Sequence, residues 1–262
     1  MGDLGTYPFG EPVRRVEQTD KSPKRAFVLG VYASAVHARW LDQDGKQVVA
    51  ALAVASEPEI FWRGDRAAEI IERIDVPREV GRLEPAANNL NGPSGRTLDE
   101  LYLGPLGLGR DEAWLCDLVP WSGRNPGQAK AIERAYDPLV RSHGLPPATF
   151  EPPPTEFADD RRRAEIRAEL IESEAEVLVL LGDQPLRWFA RAFEPEWSRL
   201  SHFGTGPEQY GRLHDLDLHG HQVKVLPLAH PRQAGALGTH SGDWRAAHER
   251  WVNEAASSLL AR

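Results

Sequence analysis

Apolar and polar positions recur along this chain with two periods, and the switches between them outline its elements. Residues 26–31, AFVLGV, form an apolar run that reads as a buried strand feeding a loop. In VHARWLDQDGKQVVAALAVA, Asp44-Gly45 lies between two β-prone segments, which predicts a hairpin with a tight turn. From Gly64 to Ile74 the apolar residues Ala67, Ile70, Ile71 and Ile74 fall at i, i+3, i+4 and i+7, the stripe of an amphipathic helix. NNLNGPSG, from Asn88, is a polar turn-rich loop, and Thr97 with Glu100 three residues on reads as a capping box that opens a helix. WLCDLV, from Trp114, is a second buried strand stopped by Pro120, and a helix of roughly 15 residues is expected from Gln128. A Pro-rich crossing, LPPATFEPPP, separates the two halves as a semi-rigid connector. After a basic helical stretch from Arg161, EVLVLLG is the clearest strand, and DQPLRWFARAF continues it as a helix. Residues 213–218 and 223–228 flank His219-Gly220-His221 as another hairpin, and a final helix carries Trp244, Ala247, Trp251 and Ala255 on one stripe. Strands alternating with helices predict an α/β fold, a three-layer sandwich whose mainly parallel central sheet is flanked by helices, with hairpin additions. No internal repeat is visible.

Size and composition narrow the class. The chain has 262 residues, 41% hydrophobic and 27% charged, which suits one large α/β domain over residues 26–262 behind an N-terminal extension, 1–25. The single cysteine, Cys116, excludes an intramolecular disulfide framework and any four-cysteine metal site made by one chain, so a reducing cytoplasm is the expected location. The longest apolar run, Val48 to Ala55, has eight residues. A membrane span needs about 20, so no membrane association is expected. The N-terminus lacks the basic and apolar parts of a secretion signal. A net charge of −8 argues mildly against non-specific coating of nucleic acid, which needs Lys and Arg on the contact face.

In open α/β sheets ligands bind beyond the carboxyl ends of the strands. That rule selects the loops at 32–37, 117–128, 182–184 and 230–240, which 88–95 can join. The corresponding blocks are NLNGPSGRTLDELYLGPLGL, AWLCDLVPWSGRNPG, EVLVLLGDQPLRWF and HQVKVLPLAHPRQ. Taken in order they resemble the uracil-DNA glycosylase superfamily, most nearly its bacterial and archaeal families four and five, from about Phe27 to the C-terminal helix. No single block is specific, but the ordered set is.

The resemblance implies a DNA glycosylase: an enzyme that flips one nucleotide out of DNA and hydrolyses its N-glycosidic bond, as in base excision repair. Its partner is DNA, single- or double-stranded, and it needs no cofactor and no metal. The family's iron-sulfur cluster requires four cysteines that this chain lacks. A monomer is expected. Positive charge develops on the sugar and negative charge on the departing base, so the site needs a donor at the base and a positioned water at the sugar. His230, in His230-Pro231-Arg232, matches the histidine that stabilises the leaving base; read alone, it is a His closing a strand end.

Three departures from the family pattern bear on the substrate. Tyr32 occupies the column where the family has an acid or amide that holds the water, and a phenol with pKa near 10 is a poor base. Asn89 or Asn91 would then orient the water, unless they serve only as turn residues. Second, Asp117 replaces the strand-end Asn that reads uracil. An ionised carboxylate offers only acceptors, whereas a buried protonated one has a donor and an acceptor and could pair with a cytosine-type base. The other reading of Asp117 is a loop-organising acid that bonds the backbone. Third, Ala33 and Ser34 stand where the family's uracil-specific members carry a bulky Tyr that blocks C5. The implied substrate is therefore uracil or, better, a C5-modified pyrimidine such as a hydroxymethylated or glucosylated base, in DNA repair or in antiviral defence against phage. Leu90 replaces the stacking Phe, whose part Tyr32 or Trp121 would take.

Arg232, Gln233 and Leu237 fall where the family inserts a loop into DNA, and Arg124 and Arg96 could meet phosphates. RRRAEIR reads as a solvated helix face, His219 and His221 as sharing a strand face and forming a weak metal pair that lacks a third ligand, and Trp188, Trp244 and Trp251 as core. No lysine falls in the crevice loops, so the expected enzyme is monofunctional. Two other readings stand beside it. One is a catalytically weak DNA-binding member of the fold that senses a flipped base; the other is an unrelated nucleoside hydrolase.

Overall fold

The computed structural model describes residues 3–235 and 242–260. Leu237, the expected insertion residue, lies outside the described residues. The strands are β1 (Ala26–Tyr32), β2 (Ala35–Leu41), β3 (Gln47–Ser56), β4 (Arg82–Pro85), β5 (Ala113–Val119), β6 (Val177–Leu181), β7 (His214–Asp217) and β8 (Gln222–Leu228). The helices are α1 (Ala67–Glu72), α2 (Pro93–Leu98), α3 (Pro126–Ala131), α4 (Asp137–His143), α5 (Asp160–Glu172), α6 (Asp183–Trp188), α7 (Pro231–Ala234), α8 (Gly242–Glu254) and α9 (Ala256–Leu259). The fold is α/β, a five-stranded, mostly parallel sheet flanked by helices together with a small antiparallel sheet. Among the described residues no helix is long and apolar enough to cross a membrane.

The chain forms two compact units. The first gathers the segment ending at Val16 with Ala33–Pro93 and Pro120–Thr155. Its sheet has the order β3-β2-β4, and the β2–β3 hairpin turns at Asp44-Gly45 as the sequence predicts, with Gly45 at φ +78°. An aromatic core backs this sheet: Phe9 meets Trp40 edge-on at 5.5 Å and Tyr136 at 5.0 Å, and the Trp40 indole N–H donates to Val80 O. Helix α1 buries Ala67 and Ile71 of the expected stripe against the same core.

The second unit gathers Glu17–Tyr32, Ser94–Val119 and the chain from Glu156 on. Its sheet has the order β5-β1-β6-β8-β7; the first four strands run parallel, and β7 closes the edge antiparallel to β8. Strand β1 is the hub, pairing with β5 through Gly30↔Asp117 and with β6 through Leu29↔Leu180. Every residue of β5 and β6 is buried, as continuous apolar runs in a doubly covered sheet require.

Local expectations need correction at five places. Residues 32–37 are not a loop: β2 begins at Ala35, leaving only Ala33 and Ser34 as a link. The helix expected from Thr97 begins at Pro93, whose fixed φ suits a first helical position, and Thr97 is buried inside it. The helix expected from Gln128 starts at Pro126 behind Asn125, whose side chain accepts from the Gln128 N–H. The RRRAEIR stretch is not wholly a solvated face, because Arg162 is buried. Finally, His219 and His221 sit in the β7–β8 turn rather than on a strand, with the His219 ring against Phe193 at 4.9 Å.

Candidate active site

Strand register fixes where the two central candidates stand. Asp117 lies level with Gly30, and one step beyond Leu29↔Leu180 the same row reaches Leu181, itself paired with Leu228. His230 follows two residues later, so both candidates stand at the carboxyl edge of the sheet. Three strand steps separate β5 from β8, roughly 14 Å at the usual spacing.

Asp117 is 3% exposed, and among the described residues nothing hydrogen-bonds its carboxyl group. Side chains alternate along β5. Cys116 and Trp114 point to the α5 side, where Arg162 Nη2 reaches Cys116 Sγ at 3.2 Å and the Trp114 indole reaches Glu169 at 3.3 Å. The Asp117 side chain therefore points to the other face, beside Gly30, which contributes no side chain there, and on the same face as Tyr32 one pair further along. Burial raises its pKa to about 7, against the opposing pull of the Arg162 guanidinium. Arg162 itself is spent on the strand backbone, donating to Asp117 O at 2.7 Å and Leu118 O at 3.1 Å while pairing with Glu165 and Glu169. Arg162 therefore acts on the carboxyl group through its charge, without a hydrogen bond to it.

His230 caps α7. Its Nδ1 accepts from the Arg232 N–H at 3.2 Å, and Gln233 Oε1 accepts from the His230 N–H at 3.1 Å. A backbone N–H can only donate, so Nδ1 is bare and the proton of the neutral ring sits on Nε2. Desolvation, helped by the nearby Arg232 charge, pushes the His230 pKa down to about 4. The ring is a neutral donor across the physiological range. Gly182, at φ +85°, lets the end of β6 close on it: a Cβ there would lie 2.9 Å from His230 Cβ.

The remaining candidates divide. Tyr32 is 47% exposed at the carboxyl end of β1, while Ala33 is buried and Ser34 exposed in the link that follows. Asn89 and Leu90 are exposed in a 3-10 turn of the first unit. Asn91 is buried there, its Oδ1 accepting from His37 N–H at 2.8 Å and its Nδ2 donating to His37 O at 2.9 Å. Its amide acts as an extra strand pairing for β2. Arg124 packs over Phe150 at 6.0 Å with Nε buried and unpartnered among the described residues, and Arg96 is half-buried. Arg232 is exposed, whereas Gln233 has its oxygen committed to the His230 cap. Among the described residues no three metal-ligating side chains gather.

Sequence reading missed Arg162, hidden inside a charge run. It also missed the buried Tyr102, Tyr210 and His248, whose partners lie far away in the chain. His248 had one local signal: it sits four residues after Trp244 and three before Trp251 on the buried stripe of α8. No protein-family model matches this chain, and no curated protein matches it.

Proposed function

We propose that this protein is a DNA glycosylase that takes a nucleotide out of the helix and hydrolyses its N-glycosidic bond, with a C5-modified, cytosine-type pyrimidine preferred to uracil. The observation that carries the reading is a pair of groups on one sheet edge: a neutral imidazole offering Nε2–H, and a buried carboxyl with no hydrogen-bond partner among the described residues. As the glycosidic bond breaks, its electron pair stays on the base, and His230 Nε2–H donates to the oxygen where that charge gathers. A neutral donor suits this task because it stabilises the anion without having to lose a proton. Water supplies a hydroxyl to the sugar carbon and the proton that ends on the base. Below about pH 7 Asp117 is protonated and presents one donor and one acceptor, the complement of N3 and the exocyclic amine of cytosine. Against O4 of uracil its ionised form would oppose acceptor to acceptor, a penalty of about 1–3 kcal/mol or more. Gly30 beside it, which adds no side chain, favours a base enlarged at C5. A reducing cytoplasm is the proposed setting, in keeping with the free, buried Cys116.

The test is base release from duplexes carrying uracil, hydroxymethyluracil, methylcytosine, hydroxymethylcytosine and its glucosylated form. Modified cytosines are expected to be released fastest, with the rate falling as pH rises through about 7. His230→Ala is expected to lower release by about 10²–10³-fold. Asp117→Asn should flatten the pH dependence and shift preference toward uracil. Preference of the parent protein for plain uracil, or full release by His230→Ala, would defeat the reading. One observation favours a second reading, a DNA-binding protein with little catalysis: the Asn91 amide, a candidate for holding the water, is spent on His37. Tight binding of a modified duplex without abasic sites would select it.

A further inference from the structure

Strand β8 ends at Leu228, the last residue it pairs with β6, so the peptide groups of Ala229 lie beyond the ladder. Both are nevertheless satisfied by side chains. The Ala229 N–H donates to Tyr210 Oη at 2.8 Å, and Tyr102 Oη donates to Ala229 O at 2.6 Å. Tyr210 Oη lies 2.7 Å from His248 Nδ1, and His248 Nε2 lies 2.9 Å from Leu101 O. The proton order along this chain follows from its two ends. Ala229 N–H can only donate and Leu101 C=O can only accept, so Tyr210 O–H donates to a bare His248 Nδ1, and Nε2 carries the hydrogen bonded to Leu101. The Tyr102 ring lies against His248 at 4.5 Å, and Trp251 closes the other side at 5.1 Å. Tyr102, Tyr210 and His248 are each 3% exposed or less.

We infer that Tyr102 and the Tyr210–His248 pair are positioning residues: they grip the Ala229 peptide from both sides and thereby hold the next residue, His230, in its cap on α7 with Nε2–H turned to the carboxyl edge. The grip is built from groups that satisfy one another completely, so it has one arrangement and little freedom. Nothing in it touches the substrate. The effect on base release rests on the function proposed above; the effect on the His230 ring does not.

The experiment compares the full-length parent with Tyr102→Phe and Tyr210→Phe by two readouts. In ¹⁵N spectra of the histidine rings, the His230 Nδ1 resonance should move toward that of a water-exposed imidazole, with faster amide exchange at Arg232. An unchanged His230 ring in a folded variant overturns the inference. If Tyr210→Phe does not fold, Tyr102→Phe, which leaves a single carbonyl short of a donor, decides. In base release, each variant should lose up to about a hundredfold in kcat with KM unmoved, the scale of a small misplacement of a reacting group. In a His230→Ala background the same substitutions should cause no further loss, and an equal further loss there overturns the inference. If the parent releases no base from any duplex, the proposed function fails while the ring spectra still decide the positioning role.

Discussion

Gly182 and His230 approach closely in the candidate site because Gly182 carries no Cβ. Any side chain at 182 would face both a left-handed φ of +85° and a Cβ contact of 2.9 Å with the histidine. Gly182→Ala is therefore expected to lower stability by about 1–3 kcal/mol, the usual size of such backbone strain, and to weaken base release by shifting His230. An unchanged urea midpoint would show that the strand end relaxes freely. The contrast with Asp117 is instructive. His230 is held by a cap, whereas the Asp117 carboxyl is held by burial alone and its charge state is set by desolvation winning over Arg162. The place of His230 just beyond a strand was legible, because an apolar run stopped by His-Pro is a local signal. The ring's tautomer was not, because it depends on Arg232 N–H geometry that no spacing encodes.

At the level of elements, Asn91 stands in for a strand. It supplies the donor and the acceptor that His37 would otherwise exchange with a neighbouring backbone. Asn91→Ala is expected to cost about 1–3 kcal/mol and to raise amide exchange at His37, since the His37 N–H loses its partner while His37 O keeps the Ala86 N–H at 3.1 Å. Denaturation with both proteins side by side checks it; equal midpoints would mean that water substitutes for the amide. The strands themselves were readable because β1, β5 and β6 are short apolar runs bounded by polar turns, and the Asp44-Gly45 hairpin because its turn residues are diagnostic. Helix starts were less readable. Thr97 looked like a cap, but Pro93 begins the helix four residues earlier. Arg162 was hidden because consecutive arginines read as solvated, and only the packing of α5 on β5 selects which of them turns inward.

Across the whole molecule, stability is a balance of opposed titrations. His37, His214, His230 and His248 all have lowered pKa values, with burial the largest cause in each and His230 and His248 pushed down to about 4. The unfolded chain, with histidines near 6.5, binds those protons first, so stability falls as pH drops below about 6.5. Asp117 works the other way. Its folded pKa of about 7 exceeds the unfolded 3.8, so its favourable contribution is complete at low pH and is lost as pH rises through 7. Each fully titrating group changes stability by about 1.4 kcal/mol per pH unit, so between about pH 4 and 7 the single Asp117 offsets part of what the four histidines contribute, and well above pH 7 none of the five changes charge on unfolding. Urea midpoints are expected to rise with pH and level off above about pH 7, and Asp117→Asn should steepen that rise between about pH 4 and 7; an unchanged slope in that variant would show that Asp117 does not oppose the histidines. The central position of β1 reaches further. Its residues 26–32 are made well before their partners, which on β5 start at Ala113 and on β6 at Val177, and β6 waits in turn for β8 to end at Leu228. The nascent chain must hold an apolar strand with one edge unpaired until β6 is made, so products truncated before Val177 are candidates for chaperone capture or aggregation rather than for partial activity.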